Sequence, residues 1–315
     1  MVKSVKIRFS AIGFAIILFY LVTQISYFIA NVIFVIISPN ASLSNPIGIN
    51  PLILDLVNIL IPVLSLLIPI IAFKKFYNLP QKPYILKFCL TNKKNMIFIF
   101  GTFILLVIFT VFLARFSNYV LYDILKLNQN SSTNILNFNN FGLAFIKYCI
   151  IPAVLEEILF RGMIQSSLLP LGDKFAIVIT SIIFALLHKD FSSLISIFIL
   201  SMFIGYIAIV TNSIVLPILL HFTNNCITFI SSYIMNEINP VSALSLIIML
   251  FVLGIFISIL SFFSIKKDKI KFVKLKHSNT NIKTTAVLKI AFNTPIFTSA
   301  ILFSIFIMLF QLFAY

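Results

Sequence analysis

The chain has 315 residues, 61 % of them hydrophobic and only 10 % charged, with a mean hydropathy of +1.13. Apolar runs long enough to span a bilayer recur from end to end, which excludes a soluble globular domain and calls for helices rather than a barrel. The net charge of +15 is carried by lysines between those runs, as positive-inside topology and anionic headgroups require, so nucleic-acid binding is not expected.

The three cysteines, Cys89, Cys149 and Cys226, are scattered without a C-x-x-C pair. They imply neither a disulfide framework nor a thiolate metal site. One all-α polytopic membrane bundle of about eight or nine spans is expected over residues 1–315, with the lipid bilayer as its solvent.

Lys3, Lys6 and Arg8 precede an uncharged run from Phe9 to about Ser38. That run is too long for a signal-peptide core and lacks a small-residue cleavage site, so it reads as a first span entered from the cytoplasm. A neutral polar loop precedes a second span, Pro51 to Phe73, whose Asp55 lies near the outer end and needs no special role. Six lysines between Lys74 and Lys94 mark a cytoplasmic loop. Within it, Tyr84 to Leu90 has the pattern of a short surface-lying amphipathic segment. Further spans are expected over about 96–116, 141–169, 175–188, 191–210, 214–235 and 241–264. A basic cytoplasmic loop over 265–289 follows, then a last span near 291–313. Eight crossings return the chain to the inside at that basic loop, as charge bias demands.

The fourth span holds the informative residues. Its run Ile150 to Leu169 carries Glu156, Glu157 and Arg161 among apolar residues. A charged residue at the bilayer centre costs about 2.5–3.5 kcal/mol on insertion scales, so such residues face a polar cavity or one another and have a task. Glu157 and Arg161 stand four apart with the acid N-terminal, the favourable order for an ion pair on one helix face. Glu156 points about 100° away round the helix. It has no sequence-local partner, so one carboxylate is structural and the other is free for chemistry.

Three more polar residues belong at a similar depth. At about 1.5 Å per residue from the cytoplasmic helix ends, Glu156, His188 and His221 fall roughly 20, 22 and 12 Å deep, within a slab of about 30 Å. Asn225 stands four beyond His221 on the same face. Phe184 stands four before His188, where its ring can shield the imidazole. Pro152 and Pro217 each stand four before a polar residue, where proline frees a carbonyl and bends a helix. A carboxylate, two imidazoles and an amide can perform limited chemistry. The glutamate can act as a general base on water, one histidine can hold that water, and the other with the amide can stabilise an oxyanion. The set fits amide hydrolysis without a serine or cysteine nucleophile. Zinc bound through Glu156, His188 and His221 is the alternative, although H-E-x-x-H is absent; no metal is expected. Taken singly, each histidine suits a plain interhelical hydrogen bond; it is their common depth that indicates function.

The ordered motifs Glu156-Glu157-Ile-Leu-Phe-Arg161-Gly162, Phe184-x-x-x-His188 and His221-x-x-x-Asn225 resemble those of the CPBP family. This family includes the type II CAAX-processing endopeptidases and the Abi bacteriocin-processing and immunity proteins. The resemblance covers about 141–235, the expected catalytic core. It implies an intramembrane glutamate protease in which Glu156 activates water, His188 positions it, and His221 with Asn225 forms the oxyanion site. Glu157 and Arg161 would support the first motif. The substrate would be a peptide or membrane protein, in prenylated C-terminus processing, bacteriocin maturation or self-immunity. Many Phe, Ile, Asn and Lys residues suggest a low-GC bacterium and disfavour a prenyl substrate. The rival readings are a non-catalytic immunity or scaffold protein that binds a peptide and, without the expected internal repeat, a transporter.

Overall fold

The computed structural model describes residues 2–38, 48–76, 93–127, 140–237, 240–266, 275–276 and 283–313. These form an all-α bundle. Its helices are α1 (Val2–Ile37), α2 (Pro51–Phe76), α3 (Lys93–Asn118), α4 (the helical column 141–171), α5 (Asp173–Leu187), α6 (Leu194–Thr211), α7 (Val215–Glu237), α8 (Pro240–Lys266), α9 (Thr284–Phe292) and α10 (Pro295–Phe313). Six of them are long and apolar enough to cross a membrane: α1, α2, α3 with its continuation to Ile124, α6, α7 and α10. This is a multi-pass membrane protein. The expected amphipathic segment 84–90 and most of the basic loop 265–289 lie outside the described residues.

Two of the expected spans differ from regular crossings. The fourth is wound as α-helix interrupted by π-turns at Ile146–Ile150 and Ile158–Gln165, on either side of the two glutamates. Pro152 has no N–H, and the π-turn just before it absorbs the change in hydrogen-bond register. The fifth, α5, has 15 residues and is thus about 22 Å long, shorter than the hydrocarbon slab. It is enclosed by neighbours, with Ala176, Thr180, Ile183 and Phe184 buried.

Chain punctuation follows local chemistry. Asn140 caps α4 through Oδ1, which accepts from the Leu143 N–H at 3.2 Å. Gly172 ends that column at φ 112°, a conformation open to glycine. Asn212 closes α6 in the left-handed region at φ 49°. Pro217 falls in the first turn of α7. Its missing N–H is there one of the orphan donors in any case, so it starts this helix rather than bending it as expected. Pro295 likewise opens α10, so the last span, expected from about 291, begins at Pro295, and the short helix α9 before it overlaps the end of the expected basic loop.

Lipid offers apolar surface as good as a neighbouring helix, so close backbone approach and polar contacts must hold the bundle together. At Gly13 an added Cβ would lie 2.6 Å from the Phe297 backbone, which fixes the crossing of α1 and α10. A large core joins α1, α2, α9 and α10 to α4 and α5 through Phe9, Ile12, Leu66, Phe160, Ile183 and Phe297. A second core joins α3, α6 and α7 through Phe103, Ile204, Leu216 and Leu220. The helices bearing Glu156, His188 and His221 therefore meet between two flanking groups.

Two charges expected near the ends of spans are interior. Arg8, grouped by sequence with the cytoplasmic lysines, is buried and donates to the Ser167 carbonyl near the end of α4. Such carbonyls have no intrahelical donor, which gives the guanidinium a partner at depth. Asp55 is also buried and accepts the Asn140 N–H at 3.2 Å, tying α2 to the start of α4.

Candidate active site

The two adjacent glutamates have different surroundings. Glu157 is fully buried, and its Oε1 accepts from Arg161 Nη1 at 2.8 Å and from His221 Nδ1 at 2.8 Å. The four-residue pair expected from spacing thus exists, and it reaches a second helix that the spacing did not indicate. Arg161 Nη2 continues outward to the Ser201 carbonyl at 3.1 Å and hydroxyl at 2.8 Å. One turn on, Gln165 Nε2 donates to the Gly205 carbonyl at 2.9 Å. Glu157, Arg161 and Gln165 therefore form a polar seam from α4 onto α6, with Glu157 also holding α7. Ser201 and Gln165 were not singled out by sequence reasoning. Their only mark is polarity within an apolar run, which serines and glutamines often share without consequence.

Glu156 faces elsewhere. Its Oε2 has no protein hydrogen-bond partner and lies 4.0 Å from His188 Nε2 and 3.9 Å from His221 Nε2. Both gaps exceed a direct hydrogen bond and suit a bridging water. The far nitrogens of the two rings are engaged. His188 Nδ1 lies 2.8 Å from the Phe184 carbonyl. A carbonyl only accepts, so Nδ1 carries the proton and a neutral ring presents a bare Nε2 to Glu156. The Glu157 carboxylate plays the corresponding part for His221, fixing its ring as buried carboxylates orient imidazoles elsewhere.

Phe184 does more than shield one imidazole. Its ring lies 4.6 Å from that of His188 and 5.8 Å from that of His221, centroid to centroid, and the Arg161 guanidinium sits 4.8 Å from its centre. One aromatic side chain thus spaces both histidines and the cation.

Two cavities meet at this cluster. A larger one of about 450 Å³ is lined by His188, His221 and Asn225 together with Arg115, Ser196 and Leu200. A smaller one of about 70 Å³ is lined by Glu156 and His188 against Ala15, Ile16 and Phe19 of α1 and Leu66 of α2. The structure thus brings together every site residue expected from sequence, on α4, α5 and α7. Glu156 and Asn225 line different cavities, joined at His188. No group of three His, Cys, Asp or Glu among the described residues is arranged to hold a metal ion. Cys149 and Cys226 are free thiols within an apolar cluster with Phe229.

In comparison with protein families, residues 138–227 match the family described as type II CAAX prenyl endopeptidase Rce1-like. No curated protein and no solved structure matches the chain significantly. The matched segment begins just before α4 and ends within α7, so it contains Glu156, His188, His221 and Asn225 but none of α1 to α3 or α8 to α10. Residues 138–227 are accordingly similar to an Rce1-like domain, that of the membrane-embedded type II CAAX endopeptidases, which is consistent with the CPBP resemblance of the same motifs.

Proposed function

We propose that this enzyme cleaves a peptide or membrane-associated protein with a water activated by Glu156. One observation carries the reading. Of the two adjacent carboxylates, Glu157 is held through Oε1 by Arg161 and His221, with its Oε2 buried and unpartnered, whereas Glu156 has no ion pair with a Lys or Arg among the described residues and its Oε2 stands at water-bridging distance from two imidazoles. Glu156 takes a proton from the water as its oxygen attacks the scissile carbonyl carbon, and His188 Nε2 holds that water. The oxyanion forms towards His221 and the Asn225 amide. Donation from His221 Nε2 requires a doubly protonated ring, whose charge the Glu157 carboxylate at Nδ1 offsets. Collapse breaks the C–N bond, and the proton on Glu156 passes to the amine leaving group. Arg161, Ser201 and Phe184 hold these groups in place.

The larger cavity, with polar and apolar walls, suits a peptide segment. A prenylated C-terminus, named in the family description, and an unprenylated peptide such as a bacteriocin precursor are the two substrate classes to separate. The test compares terminal peptides from membranes of cells carrying the wild-type protein or Glu156→Gln, a near-isosteric change that removes the base. New termini found only with wild type are expected, and they name the substrate. Identical termini with an intact biological phenotype would replace the enzyme reading with that of a peptide binder or immunity protein.

A further inference from the structure

The polar groups of the site are divided between the two cavities, and the division follows chemistry. The small cavity has only two polar lining residues, Glu156 and His188, the pair to which the proposal above gives the water. The large cavity takes His188, His221 and Asn225, and so both groups that face the oxyanion, but it does not take Glu156. His188 alone borders both. A peptide bond seated against His221 and Asn225 would therefore present one face to the large cavity and have Glu156 behind it.

We infer that the pocket between α1, α2 and Glu156 is the binding site of the hydrolytic water, and that the polypeptide substrate occupies the α3–α6–α7 cavity alone. The inference rests on the glutamate–water reading and adds where each reactant resides. Size separates the occupants. About 70 Å³ exceeds the roughly 10–15 Å³ of such volume that one water needs, yet is small for a peptide unit with side chain. Polarity places the water at one end. It needs two to four partners, and the pocket supplies them only where Glu156 and His188 Nε2 stand, since Ala15, Ile16, Phe19 and Leu66 offer none. The apolar remainder confines the water to the base.

The inference gives α1 and α2, which lie outside the matched family segment, a share in catalysis. They wall in the nucleophile. The step is ordinary hydrolysis: water oxygen bonds to carbonyl carbon, the C–N bond breaks, and the two water protons end on the new carboxyl side and the new amine.

The test uses the full-length protein in phosphatidylcholine nanodiscs. X-ray radiolysis of water within the protein oxidises the side chains beside it, and peptide mass spectrometry reads the oxidation. Phe160 and Leu66, which line the pocket at 3 % and 5 % exposure, are compared with Phe9 at 0 % in the same core. Phe160 and Leu66 are expected to oxidise faster than Phe9 in the wild type and to fall to its rate in Ala15→Leu. Leu66→Phe fills the pocket from the opposite wall and should quench Phe160 likewise, so misfolding of either variant leaves the other to decide. On the substrate found from the new termini, both fillings should lower kcat by about 100-fold, the lower end of a general-base contribution. KM should stay near wild type, because substrate binding is untouched. Wild-type oxidation of Phe160 and Leu66 no faster than that of Phe9, as with a lipid chain in the pocket, overturns the inference. So does a raised KM with kcat intact, which would make the pocket a side-chain subsite. Glu156→Gln separates the two levels: it should keep the oxidation and lose turnover, and retained turnover would overturn the glutamate mechanism rather than the water site.

Discussion

Arg161→Met tests whether the buried polar seam holds the bundle. The guanidinium is 1 % exposed and gives hydrogen bonds to Glu157 Oε1 at 2.8 Å, the Ser201 carbonyl at 3.1 Å and the Ser201 hydroxyl at 2.8 Å. Methionine supplies similar bulk beside Phe184 but no donor. Glu157, at 0 % exposure, would then keep His221 Nδ1 as its remaining hydrogen-bond partner and carry an uncompensated charge. Breaking a buried pair from one side costs about 3–5 kcal/mol. Removing both charges is far cheaper, because replacing a buried pair by well-packed neutral groups is often neutral or better. Glu157→Gln combined with Arg161→Met should therefore be more stable than Arg161→Met alone, with a coupling near the ~3 kcal/mol upper end for neighbouring residues. Unfolding in dodecyl maltoside micelles titrated with dodecyl sulfate, followed by far-UV circular dichroism, measures all four proteins. A double variant as damaged as the sum of the two single ones would refute the reasoning. So would an Arg161→Met protein within about 0.5 kcal/mol of wild type, the range of an inconsequential surface change.

Asn225→Ala should lower kcat by about 10²–10³-fold, the loss seen when one oxyanion donor is removed, with KM near wild type in steady-state cleavage. Gly13→Ala should destabilise the fold by about 1–3 kcal/mol, because its Cβ would sit 2.6 Å from the Phe297 backbone, which cannot yield as a side chain can; the same unfolding titration reads it. Arg8→Ala should cost about 1.5–3 kcal/mol through the lost charge-assisted bond to Ser167, whereas Lys3→Ala, at an exposed position, should cost nothing measurable. Exhaustive dialysis against a chelator should leave the cleavage rate unchanged; stoichiometric zinc in active protein, lost together with activity, would replace Glu156 as water activator by the metal.

The helix content and the polar set were legible because both depend on what lipid forbids. A chain of this hydropathy must satisfy its backbone within helices, and a charge inside such a run must have a partner or a role. Glu156, Glu157, Arg161, His188, His221 and Asn225 therefore stood out from their background, and the four-residue spacing of Glu157 and Arg161 foretold their pair. Helix ends were legible where proline, glycine or asparagine constrain the backbone, as at Gly172, Asn212 and Pro295. Arg8 and Asp55 were read as end-of-span charges because burial at a helix terminus leaves no trace in spacing.

What the sequence by itself determined was the membrane, the helices and the residues able to do chemistry, since each follows from hydropathy, local periodicity and the cost of charge in lipid. Only the tertiary structure decided which glutamate is engaged by His221, that Ser201 ends the seam from Arg161, and that the site opens to two cavities. Those facts depend on packing that brings residues as distant along the chain as Ala15 and Glu156 to the wall of one cavity, which no local pattern encodes.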